Sequence, residues 1–157
     1  MKHRYVVDLN IAHSAQTLKD DHGQDSPHCA RLLTELIGRC HSIVACTEIH
    51  RGYSDLADEL EESGEGQGPS IFGLASIAWS VEGKWMPVPA PPPVTGEEVV
   101  KDDDRVLVRL AIAQSAHIVT TDTPLRDALT ASDIMKSKGL LVLSVEQALE
   151  HIMQEDP

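Results

Sequence analysis

Short apolar runs alternate with longer amphipathic stretches along this chain, and that alternation restricts the fold more than any other feature. RYVVD (4–8), SIVAC (42–46), HIVTT (117–121) and LLVLS (140–144) have the length of strands rather than helices. They are nearly continuous in apolar residues, as strands buried on both faces are. Between them lie helical patterns. HCARLLTELIGRC (28–40) places Leu32, Leu33, Leu36 and Ile37 on one face. TEIHRGYSDLADELEE (47–62) reads as a helix capped by Thr47, and residues 103–115 repeat Val106, Leu107, Leu110, Ala111 and Ala113 at helical spacing. Thr123 caps a helix with Pro124 at its first position, running to about residue 136. Ser144 and Gln147 form a capping box for a last helix to about 153. Strands alternating with helices predict a parallel sheet with right-handed crossovers. The expected fold is α/β, a three-layer α/β/α sandwich around four to five parallel strands.

The 157 residues fit one domain, 1–157, with a Gly/Pro-rich variable region at about 61–100. Within that region Gly64, Gly66, Gly68 and Pro69 mark a loop, and residues 70–82 predict a buried helix. MPVPAPPPVTG (86–96) is too proline-dense for a helix or central strand and reads as an extended surface connector. Residues 13–26 form a polar stretch. No apolar run approaches the roughly 20 residues that span a bilayer, and Asp8 interrupts the only apolar start, so no signal peptide is expected. Three scattered cysteines read as reduced thiols, which places the chain in the cytoplasm.

Four separated segments bring acids to one edge of such a sheet. Helices that follow parallel strands begin at the carboxyl ends of those strands, where ligands bind. Asp8 ends the first strand and Asp122 follows the third. Glu48 sits in the first turn after SIVAC, and Asp102, Asp103 and Asp104 open the helix that returns before HIVTT. Crowded carboxylates cannot all ionise without compensation, and a divalent cation supplies it. Oxygen ligands without His or Cys suit Mg²⁺ or Mn²⁺ rather than Zn²⁺. Taken singly, the Asp102–Asp104 run and Glu48 also read as acids favoured at a helix start. An acid closing a buried strand, as Asp8 does, needs a partner or a cation.

These residues resemble the PIN-domain family. YVVDLN is similar to its strand-one motif, an apolar run followed by D-x-N. DDDRVLVRLAIAQSAHIVTTDTPL resembles its third and fourth acidic motifs, and SIVACTEIHRGYSDL its short strand followed by an acid-bearing helix. The resemblance spans most of the chain apart from about 54–100. It implies Mg²⁺- or Mn²⁺-dependent hydrolysis of RNA phosphodiester bonds. By position it assigns Asp8, Asp103 and Asp122 to the metal, with Asp104 as the alternative helix-opening ligand. Glu48 stands in for an acid that many relatives carry just before an aromatic such as Tyr53, where this chain has Gly52. Asn10 matches a supporting polar residue, and Thr120 or Thr121 a hydroxyl near the attacking water. The resemblance further implies single-stranded RNA as substrate, a homodimer, and an antitoxin or other protein partner.

Other readings are less well supported. A net charge of −12 argues against coating nucleic acid by bulk electrostatics, so RNA must meet a local patch or a partner's basic surface. Five aromatic residues are too few for a single-strand stacking platform. Trp79 and Trp85 read as packing or interface residues. Cys40, His41, Cys46 and His50 lack a standard zinc spacing, and His117 is expected at a sheet margin. Arg105, Arg109 and Arg126 read as a solvated face or as phosphate contacts. No nucleotide-cradling glycine loop is present. The rivals are a PIN-like binding or scaffold module that has lost catalysis, and a phosphohydrolase or receiver domain. Asp8-Leu9-Asn10 is not the D-x-D of the former, and LLVLSVE lacks the lysine of the latter.

Overall fold

The computed structural model describes residues 2–64 and 84–155. The expected helix at 70–82, the loop beyond Gly64, and Trp79 lie outside those residues. In chain order the elements are β1 (Arg4–Val7), α1 (Leu9–Thr17), α2 (His28–Gly38), β2 (Ser42–Cys46), α3 (Thr47–Ser63) and β3 (Trp85–Val88). Two single 3₁₀ turns follow, Glu97–Val99 and Asp102–Asp104. Then come α4 (Arg105–Gln114), β4 (His117–Val119), α5 (Thr123–Ala131), a 3₁₀ turn Lys136–Lys138, β5 (Val142–Leu143) and α6 (Val145–Glu155). The strands form one parallel sheet in the order β3-β2-β1-β4-β5.

Strand period two sorts the core into layers. Tyr5, Val7, Ile43, Val119 and Leu143 face one way and pack on α1, α2 and α6 through Ile11, Leu32, Leu36, Leu149 and Ile152. Val6, Val44 and Ile118 face the other way and pack on α4 and α5 through Leu107, Leu110, Ala111, Leu125 and Leu129. Helix α3 joins α1 in a smaller cluster of Ala12, Tyr53, Leu56 and Leu60. The three layers expected from the alternation are therefore present.

Several boundaries differ from the sequence reading. The first five residues of the polar stretch, 13–17, belong to α1, whose buried face is Ile11, Ala12, Ser14, Ala15 and Thr17. Its small and hydroxyl residues carry little apolar signal. Residues 86–88 belong to β3 rather than to a connector. Pro87 is tolerated because β3 is the edge strand of the five, paired only with β2 among the described strands. The helix opened by Pro124 stops at Ala131, short of residue 136. The residue that caps it is Asp122 rather than Thr123, since its Oδ1 accepts the Leu125 amide at 2.9 Å. Cys46, not Thr47, occupies the cap position of α3. The predicted capping box of α6 is made in both directions, Ser144 N to Gln147 Oε1 at 2.9 Å and Gln147 N to Ser144 Oγ at 3.2 Å.

A candidate metal-binding carboxylate pocket

The chain runs outward from β1 through β2 to β3, then returns to lay β4 against the other side of β1. The order reverses between β1 and β4. The helices leaving those two strands diverge there and open a crevice at their carboxyl ends. Asp8 closes β1 and Asp122 follows β4, so the topology seats both at this seam.

Thr120 ties the two together. Its hydroxyl donates to Asp8 Oδ2 at 2.6 Å and accepts the Asp122 amide at 3.1 Å. Burial raises the Asp8 carboxyl above the ordinary aspartate range, and the Asp122 charge adds to this. The Thr120 hydroxyl and the adjoining Leu9 and Asn10 amides pull it back down. Asp104, which precedes α4, is the third member. Burial raises its pKa first, then the charges of Asp8 and Asp122, with Lys101 opposing. None of the three forms an ion pair with a Lys or Arg among the described residues.

Within the acidic triplet the structure separates the roles. Asp104 is half-buried and feels the seam. Asp103 is exposed, and its charge registers on its neighbour Asp104. Asp102 is exposed and paired with Arg105 at 2.7 Å. Spacing to Asp122 favours Asp103 as the helix-opening ligand, whereas Asp104, at the end of the 3₁₀ turn, is the one whose carboxyl feels Asp8 and Asp122. Glu48 is exposed in the first turn of α3, and its charge is felt by Arg109 rather than by the three acids. The two threonines part company as well. Thr120 serves Asp8, while Thr121 turns away and donates to Asp21 Oδ1 at 3.2 Å. Asn10 Oδ1 is buried without a hydrogen-bond partner.

The arginines are engaged in the fold rather than solvated. Arg109 binds both oxygens of Glu97, with Nε 2.7 Å from Oε2. This holds the Glu97 carboxyl down at about 2. Glu97 Oε2 also accepts the Val94 amide at 2.9 Å, so this pair pins the segment entering the acidic turn onto α4. Glu97 stands in a proline-rich stretch without periodicity, and nothing in the sequence marks it. Arg126 donates to the Thr120 carbonyl at 3.0 Å and to Thr123 Oγ1 at 3.3 Å, bracing the β4–α5 turn. Tyr53 donates its buried hydroxyl to the Val7 carbonyl, and burial followed by the Asp8 charge raises its pKa.

Beside the seam, a cleft of about 300 Å³ is lined by Lys19, His28, Thr121, Arg126 and Ser144 among others. Position 52 lies near the Asp8 end of α1, where a Cβ on Gly52 would stand 3.7 Å from Leu9 Cδ2. No protein-family model matches the chain, and no curated protein matches it at a significant level.

Proposed function

We propose that this protein is a PIN-type endoribonuclease that uses Mg²⁺ or Mn²⁺ at the β1/β4 seam to hydrolyse single-stranded RNA. The observation that carries the reading is the meeting of Asp8, Asp104 and Asp122 at the switch point, with no Lys or Arg ion-paired to any of them among the described residues. An all-oxygen donor set, with the Asp8 and Asp104 carboxyls pushed up by burial and by neighbouring charge, fits a dication that prefers oxygen. The orphaned oxygen of Asn10 fits the same polar setting. The three carboxylates do not all lie within 4.8 Å of one another.

When bound, the dication neutralises charge on the non-bridging phosphate oxygens and acidifies the attacking water. The protein's own part is positioning. Thr120 fixes the Asp8 carboxylate through Oδ2. Asp122 keeps its place by capping α5. Asp104 supplies the third charge from the far side of the seam. The neighbouring cleft, with Lys19 and Arg126 on its wall, gives room for a nucleotide flanking the scissile phosphate. Cleavage of single-stranded RNA with Mn²⁺ and with EDTA tests the reading. Activity that survives unchanged in Asp8→Asn and Asp122→Asn overturns it.

A second reading, a metal-binding module that no longer cleaves, is favoured by one observation, the glycine at position 52. Mn²⁺ titration by calorimetry separates the two. Clear binding with no cleavage of varied RNAs supports the second reading.

A further inference from the structure

Among the described residues, one group of His, Cys, Asp or Glu side chains has its ligand atoms all within 4.8 Å, and it lies away from the acids. It comprises His3, His117 and His151. His3 precedes β1, His117 opens β4 in register with Tyr5, and His151 lies on α6. They gather at the amino ends of the strands, about 16 Å from the acids by strand rise over the five residues from His3 to Asp8. We propose that these three imidazoles form a second metal site, for a borderline divalent ion of the zinc class, distinct from the carboxylate seam.

The geometry argues for it in three ways. His117 Nε2 and His3 Nδ1 stand 3.3 Å apart. That is long for a nitrogen–nitrogen hydrogen bond, and it matches a tetrahedron edge of roughly 3.3 Å around an ion with bonds of about 2.0–2.1 Å to imidazole. Tyr5 holds the His151 ring through a 2.8 Å contact between its hydroxyl and Nδ1, the kind of outer bond that orients a ligating histidine. Accessibility is graded. His117 is buried, whereas His3 and His151 are partly exposed. Nitrogen donors select zinc-class ions over Mg²⁺. Burial, then His151 and His3, push His117 down to about 4, so its ring is neutral at ordinary pH.

One contact must change on binding. The Leu141 amide donates to His117 Nδ1 at 3.0 Å, which puts the ring proton on Nε2. An ion on Nε2 requires the proton to move to Nδ1 of the same ring. There it opposes the Leu141 N–H, and that bond is lost. No proton leaves the ring, and the Leu141 amide becomes a reporter of occupancy. A fortuitous surface histidine would not move it.

The test uses the full chain carrying Asp8→Asn and Asp122→Asn, so the acidic seam contributes nothing and the result is independent of RNA cleavage. Co²⁺ is titrated by its visible absorption, and Zn²⁺ by calorimetry and by amide NMR. One equivalent should bind with a nitrogen-rich, four-coordinate Co²⁺ spectrum. His3→Asn and His151→Asn should each weaken binding at least tenfold, and Zn²⁺ should shift the Leu141 amide. Melting in EDTA shows that these variants remain folded. Absent binding, binding in both histidine variants as tight as without those substitutions, or an unmoved Leu141 amide at saturation overturns the proposal.

Discussion

The Thr120 hydroxyl lies 2.6 Å from Asp8 Oδ2 and is at the same time the acceptor for the Asp122 backbone amide. One side chain, fully buried at the end of β4, thereby sets the position of both acids. Thr120→Val keeps the shape and removes the hydroxyl. It leaves a half-buried amide and a half-buried carboxylate each short of a bond. The expected loss is about 1–3 kcal/mol in urea unfolding at neutral pH, together with weaker Mn²⁺ binding. Thr120→Ser should restore most of both. A Val variant as stable as the parent would show that the hydroxyl bridge contributes nothing.

Like charges at the seam predict a stability gain when one is removed. In EDTA, Asp8→Asn should melt at or above the parent's temperature, because Asp8 is pushed up by burial and by Asp122. Asp122→Asn should keep its helix cap, since asparagine also accepts from the Leu125 amide. Adding Mn²⁺ should raise the melting temperature of the parent and leave the two variants unmoved. Lower melting of Asp8→Asn in EDTA would argue against repulsion between the acids.

The Glu97–Arg109 pair predicts a pH dependence. Glu97 is held at about 2, below its ordinary 4.5, chiefly by the Arg109 hydrogen bonds. A depressed folded value means the contribution is complete above 4.5 and is lost as pH falls through about 2. Glu97→Gln should therefore melt lower than the parent at neutral pH. The gap should close on acidification across that window, as read by circular dichroism. A gap that stays constant with pH would rule out the ion pair as its source.

Helix α4 ends on Ser115 in the left-handed region, φ 50°, exposed at the surface. A residue with a Cβ is strained there, and glycine is favoured at this position after a helix. Ser115→Gly should stabilise the protein by up to about 1 kcal/mol, after the added freedom of the unfolded chain is set against the relief. Thermal melting measures it. A drop in melting temperature would mean that Ser115 makes a contribution its backbone angle does not reveal.

The layered fold was legible because its strands are short and apolar and its helices carry wide apolar faces. Helix α1 was hidden because its inner face is built from Ala12, Ser14, Ala15 and Thr17, residues that score as neutral or polar. Strand β3 was hidden by Pro87, which excludes a central strand but not an edge. Asp8 and Asp122 could be placed from the strand ends alone. Sequence spacing pointed to Asp103, and that Asp104 is the acid turned toward the seam follows from the 3₁₀ turn, which no periodicity announces. The histidine cluster joins residues 3, 117 and 151, a separation that no local pattern can signal.

Strand β3 forms one margin of the described sheet, with β2 standing between it and the Asp8–Asp122 seam. The placing of Asp8 against Asp122 thus depends on the β1–β4 pairing in the middle of the sheet, two strands in from that margin.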